Sequence, residues 1–114
     1  MAGKYNFSID QGTDFTRVIT WKDGSNVLVN LTGYTARLQA REKIADTTTL
    51  IDLTVGAGIT LGGTLGTITL SMTAVQTTAL NFVTGVYNLE MTSPSGKITR
   101  LLEGYVRLSK EVSR

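Results

Sequence analysis

The chain has 114 residues and a mass of 12.3 kDa, the size of one domain with a single hydrophobic core. Only 18% of the residues are charged and 41% are hydrophobic, a balance typical of a folded protein rather than a disordered one. The net charge of +2 comes from basic and acidic residues scattered along the chain, so we expect no nucleic-acid partner.

The sequence contains neither histidine nor cysteine. Their absence excludes Ser–His and Cys–His catalytic arrangements and nearly all zinc sites. We therefore expect a protein that is not an enzyme and that uses no metal or organic cofactor. Residues 1–11 lack the apolar run of a signal peptide, and no window approaches a membrane span, so we expect no membrane partner.

Two strands are predicted before residue 22. Apolar residues alternate with polar ones over residues 5–9, and residues 15–21 form a second strand with Trp21 on its apolar side. Asp10 and Asp14 are the closest acidic pair, but they lack the ligand spacing of a calcium loop. A turn at QGTD is therefore favoured over a metal or acid/base site.

The clearest alternation in the chain follows the turn signal KDGSN at 22–26 and covers residues 34–41. One side of this strand carries Tyr34, Ala36, Leu38 and Ala40, and the other carries Thr35, Arg37, Gln39 and Arg41. Such a strand places one face on a core and the other in water or against a partner. A loop is predicted for residues 42–48, before the next strand begins at LIDLTV.

The glycine-rich stretch GAGITLGGTLGTITL at 56–70 has two possible readings. A phosphate-binding loop would have to follow a strand and open a helix, with a lysine close by. Here the glycines alternate with β-branched segments, and no lysine or helix follows. The pattern therefore predicts a hairpin whose glycines supply positive φ angles.

One short helix is predicted near residues 73–81. Thr73 is a suitable N-cap and Gln76 has the spacing of a capping box. We expect one to two turns packed on the sheet edge, with Val75, Ala79 and Phe82 sharing the buried face.

The C-terminal part predicts a hairpin. A strand over residues 87–92 leads into the turn SPSG at 93–96, and a long strand covers residues 97–109. The apolar alternation of this last strand changes phase, which predicts a bulge or bend at Glu103–Gly104. Seven to nine short strands with frequent turns predict an all-β fold, a single antiparallel β-sandwich domain spanning residues 1–114.

Four segments carry a resemblance to a known group of proteins. They are IDQGTDFTRVITWKDG at 9–24, VNLTGYTARLQAR at 29–41, GITLGGTLGTITLSMTAVQTTAL at 58–80, and GVYNLEMTSPSGKITRLLEGYVRLSKEVSR at 85–114. Together they resemble small β-sandwich structural proteins of tailed bacteriophages, the long-tail-fibre-associated and baseplate sandwich-domain family. The resemblance covers nearly the whole chain, and its motifs are turns and core positions.

The resemblance implies a structural protein of the virion, located in the baseplate, neck or tail-fibre attachment and acting by protein–protein docking. It implies no catalytic residue. Its expected partners are other virion proteins and further copies of itself in a symmetric assembly, after synthesis in the bacterial cytoplasm. A capsid decoration protein on the head surface is the alternative, and a carbohydrate- or nucleic-acid-binding module is a third possibility of a different class.

Arginine and tyrosine are the residues most favoured for a docking surface, because they combine apolar area with hydrogen-bonding groups. The sequence hypothesis for the partner interface comprises Tyr34, Arg37, Arg41, Arg100, Tyr105 and Arg107. The competing interpretation is that the arginines are solvated charges and that Tyr34 and Tyr105 are half-buried core residues.

Overall fold

The computed structural model describes residues 3–110, which form an all-β domain with nine strands and one short α-helix. The strands are β1 Gly3–Lys4, β2 Phe7–Asp10, β3 Phe15–Thr20, β4 Thr35–Arg41, β5 Ile51–Val55, β6 Gly58–Leu61, β7 Thr67–Met72, β8 Thr84–Thr92 and β9 Ile98–Ser109. The helix α1 covers Ala74–Thr78, and a 3-10 turn covers Gly63–Leu65. Within residues 3–110, no helix has the length and apolar character needed to cross a membrane.

The strands form one continuous hydrogen-bonded sheet in the order β1-β9-β8-β4-β5-β6-β7-β3, with β2 also pairing with β9. The sheet curls into a half-barrel, because the four-residue turn 11–14 joins β2 at one end of the sheet to β3 at the other. The inward side chains of both halves therefore meet in one core.

The prediction of purely antiparallel pairing is wrong. The first strands β1 and β2 run parallel to β9, and β5 pairs parallel with β6 across the corner at Gly56–Gly58. The remaining pairs are antiparallel. A period of two residues identifies a strand and its buried face, but it carries no information about the direction of the neighbouring strand.

The core is built from the alternate positions that the strand patterns indicate. Ala36, Leu38 and Ala40 of β4 are buried, as the alternation over residues 34–41 predicts. Phe7 lies at the centre of an aromatic group, with ring centroids 5.6 Å from Phe15 and 4.9 Å from Tyr87. This group joins β2, β3 and β8, so it fastens the ends of the curled sheet to its middle.

Helix α1 begins where the sequence predicts. The Thr73 hydroxyl accepts from the Gln76 N–H, and the Gln76 side chain accepts from the Thr73 N–H, which completes the capping box. The predicted buried face is wrong in part, because Val75 is 81% exposed. The buried residue of α1 is Thr77. Its side chain packs against the turn 11–14, where its hydroxyl forms hydrogen bonds with Gly12 and Thr13.

The glycine-rich stretch forms the predicted hairpin. Strands β6 and β7 pair antiparallel around the 3-10 turn, and Gly63 and Gly66 have positive φ angles. Gly56 and Gly58, also with positive φ, turn the corner between β5 and β6. A strand rather than an α-helix follows these glycines, so the arrangement that holds phosphates is not formed here.

The irregularity in β9 lies two residues earlier than predicted. Leu89 pairs with Leu102 and Glu90 pairs with Arg100, so Leu101 is the extra residue of a bulge. Gly104 has another role, because a Cβ atom there would lie 2.3 Å from the Tyr5 carbonyl oxygen. Glycine is required at this position by the close approach of the Tyr5–Asn6 backbone.

Candidate functional site

The outward side chains of β4, β8 and β9 form a continuous polar surface, here called the outer face. Its members are Arg37, Gln39 and Arg41 of β4, Val86, Asn88 and Glu90 of β8, and Arg100, Glu103, Tyr105 and Arg107 of β9. The three strands are neighbours in the sheet, and the inward positions between these residues fill the core. The outer face therefore gathers five of the six residues in the sequence hypothesis.

The strand register arranges the outer face in rows. Arg37 stands opposite Glu90, and Glu90 stands opposite Arg100, so a carboxylate position lies between two arginine positions. In the row at the other end of β4, Val86 stands between Arg41 and Tyr105. The bulge at Leu101 makes the first row possible, because without it Arg100 would fall on the inward side of β9.

Ion pairs fix several of these side chains. Arg37 donates to Asp52 of β5 at 3.1 Å, and Glu103 pairs with Lys4 and, at 3.6 Å, with Arg100. The hydrogen bond from Arg37 lowers the pKa of the Asp52 carboxyl, and the hydrogen bond from Lys4 lowers the pKa of Glu103. Exposed pairs of this kind stabilise a fold only weakly, so their main effect is to order the surface.

Arg41 supports a neighbouring loop. Its guanidinium donates to the Asp46 carbonyl oxygen at 2.7 Å and to the Gln39 side-chain oxygen at 3.2 Å. These bonds hold the loop 42–46 beside the outer face. Ile44, at the tip of that loop, is 86% exposed.

A groove of about 580 Å³ runs across the outer face between this loop and β1. It is lined by Lys4, Asn6, Gln39, Arg41, Ile44, Val86, Tyr87, Asn88, Arg100, Glu103, Gly104 and Tyr105. Tyr105 is 58% exposed and carries the largest accessible aromatic surface in this groove. The groove thus combines an exposed ring and an exposed isoleucine with charges of both signs.

Arg107 lies next to Tyr105 along β9. A second depression of about 250 Å³ lies between Tyr105, Arg107 and the start of β2. The Arg107 guanidinium forms no hydrogen bond or ion pair with any residue between 3 and 110. It is therefore free, within that range, to pair with a group supplied from outside.

Tyr34 does not belong to the outer face. It precedes β4, is half-buried, and packs edge-to-face on Trp21 with ring centroids 5.9 Å apart. Tyr34 precedes Arg41 by seven residues, which at about 3.3 Å per residue of extended chain places it about 23 Å from Arg41 along the strand.

The turn 11–14 is held by hydrogen bonds to the Asp14 side chain and to the Asp10 backbone. Asp14 accepts a 2.7 Å hydrogen bond from the Ala74 N–H at the start of α1, and the Asp10 carbonyl accepts from the Thr13 hydroxyl at 2.8 Å. No cluster of three or more His, Cys, Asp or Glu side chains suited to a metal ion occurs in the described part of the chain.

Sequence reasoning missed Lys4, Ile44 and Glu103 as members of this site. Ile44 has a local signal, because an isoleucine in the polar loop EKIADTT has no strand pattern to bury it. Lys4 has no such signal, since it reaches the groove only through the parallel pairing of β1 with β9.

No protein-family model and no curated protein matches this sequence. Among solved structures, the chain is similar to one from a study of multimeric cell-adhesive interactions of VGSC beta subunits, with 14% identity, a TM-score of 0.43, and coverage of 93% of this chain and 92% of that one. It is also similar to extracellular domains 3–5 of Drosophila OTK, with 13% identity, a TM-score of 0.35, and coverage of 97% and 33%. Both TM-scores are below 0.5, and neither likeness supports an argument about this chain.

Proposed function

We propose that this chain is a tail-associated structural protein of a bacteriophage virion, and that it docks on neighbouring virion proteins through the outer face. The observation that carries the docking role is the exposure of Tyr105 on a groove ordered by ion pairs, beside Arg107, which has no hydrogen-bond or ion-pair partner among residues 3–110. The assignment to a virion tail comes from the resemblance of the four sequence segments described above.

We also propose that the curled sheet is a two-layer β-sandwich. One layer would contain β4, β8 and β9 with β1 and β2, and the other would contain β3, β7 and β6. Inward residues of both groups belong to one core cluster, as the two inner faces of a sandwich do. The β5–β6 corner would then be the point where the chain passes between layers.

The outer face has the composition of a docking surface. Tyrosine and arginine are the residues that most often dominate interface energetics, because each offers a large rigid group with hydrogen-bonding atoms. A standard interface takes about 800 Å² per partner, roughly a ninth of the 7029 Å² surface of this chain. The outer face spans three neighbouring strands, and the loop 42–46 and β1 beside it extend the surface that a partner can contact.

The preformed ion pairs favour a specific partner over unspecific adhesion. Lys4, Glu103 and Arg100 form a chain of alternating charge along one side of the groove. A partner must match this order, because a like charge placed opposite any of them is destabilising. The charge of Arg107, which no residue between 3 and 110 pairs with, then favours a carboxylate on the partner.

The location is tested by mass spectrometry of gradient-purified virions from the virus that encodes this chain. Gold-labelled antibodies against the chain, observed by electron microscopy, then distinguish sites on the particle. We expect label on the tail, baseplate or fibre attachment. Label on the head would favour the capsid decoration alternative, and absence of the chain from virions would overturn both.

The role of the outer face is tested by the double variant Tyr105→Ala, Arg107→Ala. Both side chains are exposed, so we expect an unchanged circular dichroism spectrum and melting temperature. We expect particles produced with this variant to lack the chain. Lys22→Ala, an exposed cation far from β9 in the sheet, is the control and should be incorporated normally. Normal incorporation of the double variant would show that another surface docks.

A further inference from the structure

We propose that the free edge of β3 pairs antiparallel with β3 of a second copy of this chain, extending the sheet across a two-fold axis. This edge lies at the end of the sheet away from β9. The proposal goes beyond the docking role of the outer face and does not depend on it.

The edge of β3 that faces away from β7 has no neighbouring strand among residues 3–110. Strand β3 is the last in the sheet order, and its one strand partner in the described part of the chain is β7, in an unbroken register of six residue pairs from Phe15–Met72 to Thr20–Thr67. The Trp21 N–H, directly after β3, donates to the Gly66 carbonyl. The odd-numbered residues of β3 therefore point their backbone N–H and C=O groups towards β7. The Gly62 N–H donates to the Thr67 carbonyl on the β6 side, which confirms the same alternation on β7.

The backbone N–H and C=O groups of Thr16, Val18 and Thr20 therefore point away from β7. None of these groups is hydrogen-bonded to another residue in the range 3–110. Three alternate residues with unpaired donors and acceptors form the template on which an antiparallel strand adds.

The outward side chains do not protect this edge. Thr16, Val18 and Thr20 are uncharged, and Val18 is 57% exposed. Proteins usually block an edge strand with lysine, proline, a bulge or an inward charge. Of these features, β3 has only an inward charge, the half-buried Arg17. At the opposite end of the sheet, β2 is shorter and carries the charge of Asp10 on its outward side.

Arg17 selects the register of the pairing. A two-fold axis at Arg17 would place two arginines directly opposite each other, which is destabilising. An axis at Val18 places Val18 against its own copy, Thr16 against Thr20, and Arg17 against Ile19. The unpaired backbone groups of Thr16, Val18 and Thr20 then face hydrogen-bonding partners on the second copy. No two like charges lie directly opposite each other.

This self-complementarity is the reason for assigning a second copy as the occupant. Pairs of β-branched residues directly opposite each other stabilise antiparallel strands, and this edge supplies such pairs from its own sequence. A two-fold pairing of this kind is closed, because each chain uses its single β3 edge once. The expected product is therefore a dimer and not a filament.

The first experiment combines analytical ultracentrifugation with hydrogen exchange measured by NMR on the full chain. We expect the mass to rise with concentration from 12.3 kDa towards twice that value. With about nine-tenths of the chains dimeric, amide exchange at Thr16, Val18 and Thr20 should slow about tenfold. Arg17 and Ile19 should already be protected in dilute solution, because their amides are bonded to β7.

The second experiment uses Val18→Lys, which places two cations opposite each other at the axis. We expect this variant to remain folded and monomeric. Val55→Lys makes the same change at an exposed position on β5 and should dimerise like the unmodified chain. A chain that stays monomeric at all concentrations overturns the proposal. A dimer that survives Val18→Lys, or that leaves the three amides unprotected, overturns it as well, and this outcome would assign self-association to another surface such as the outer face.

Discussion

The Tyr87 hydroxyl donates a 2.5 Å hydrogen bond to the carbonyl oxygen of Tyr5, 82 positions earlier in the chain. Tyr87 lies in β8, and Tyr5 lies between β1 and β2, which pair with the far side of β9. The bond therefore passes from β8 across the strand β9 to the first segment of the chain. Because the ring of Tyr87 is buried against Phe7, this contact fixes the position of the N-terminal strands.

Stability should fall at alkaline pH because of Tyr87. Burial raises the pKa of Tyr87 from its ordinary value of 10.0 to about 12. The neutral phenol is favoured in the folded state, so this contribution to stability is complete below pH 10 and is lost as the pH rises towards 12. We expect a decline of at most about 1.4 kcal/mol per pH unit within that window, because the ionisations of the folded and unfolded states overlap.

Tyr87→Phe isolates this effect. The variant loses one hydrogen bond, so we expect it to be about 1 kcal/mol less stable than the unmodified chain at pH 7. Since phenylalanine does not ionise, the difference between the two proteins should shrink as the pH passes 10. Urea unfolding from pH 7 to pH 11 measures both curves, and a difference that stays constant over this range would contradict the assignment.

Gly104 should tolerate no side chain. A Cβ atom would lie 2.3 Å from the Tyr5 carbonyl oxygen and 2.6 Å from the Asn6 side-chain oxygen, which accepts from the Tyr105 N–H. Gly104→Ala must displace this segment, and we expect a loss of about 1 to 3 kcal/mol in unfolding free energy. Gly24→Ala is the matched control, since a Cβ there meets nothing within 4 Å. Equal stability of the two variants would show that the Tyr5–Asn6 segment does not approach β9 this closely.

Much of the local structure is predictable because it depends on neighbours in sequence. The burial of alternate residues in β4 follows from its period of two, and the capping box of α1 needs only Thr73 and Gln76. The parallel pairing of β2 with β9 joins residues about 100 positions apart, and nothing in the alternation of residues 7–10 encodes it. The bulge position also depends on pairing, so the phase change could be predicted but not its place at Leu101.

For the candidate site, the sequence predicts which residues of one strand share a face, but not which strands are neighbours. Arg37 and Arg41 share a face by strand parity alone, and the same parity places Tyr34 on the opposite face of the pattern. Arg100 and Tyr105 lie on the same surface because β8 lies between β4 and β9. This order of strands in the sheet cannot be derived from strand parity. Residue types thus indicated the candidate residues for an interface, and the sheet topology decided which of them are neighbours.

The Arg37–Asp52 pair should give a small acid dependence. Its hydrogen bond holds the pKa of Asp52 below the ordinary value of 3.8, so the contribution to stability is present above about that pH and is lost as the pH falls through the lowered pKa. We expect Asp52→Asn to reduce the loss of stability between pH 5 and pH 2, as measured by urea unfolding. The effect should weaken in high salt, since both groups are exposed.

Thr77 should be the residue of α1 that matters most for stability. Its buried hydroxyl donates to the Thr13 carbonyl oxygen at 2.8 Å and accepts from the Gly12 N–H at 3.1 Å, which fastens α1 to the turn 11–14. Thr77→Val keeps the shape of the side chain but leaves both backbone groups without this partner, so we expect a loss of about 1 to 3 kcal/mol. Thr78→Val makes the same change one residue later, where the exposed hydroxyl bonds only to the Ala74 carbonyl within its own helix.

We expect Thr78→Val to change the unfolding free energy by less than about 0.5 kcal/mol. Hydrogen exchange distinguishes the mechanism, because Thr77→Val should speed exchange of the Gly12 amide while the β4–β8 ladder stays protected. The turn 11–14 joins the two ends of the curled sheet, so loosening it should release β2 and β3 before the rest of the sheet. If both valine variants were equally stable, the Thr77 hydroxyl would not be the contact that holds this turn, and the Asp14–Ala74 hydrogen bond and the packing of Phe7 on Phe15 would have to maintain the curl.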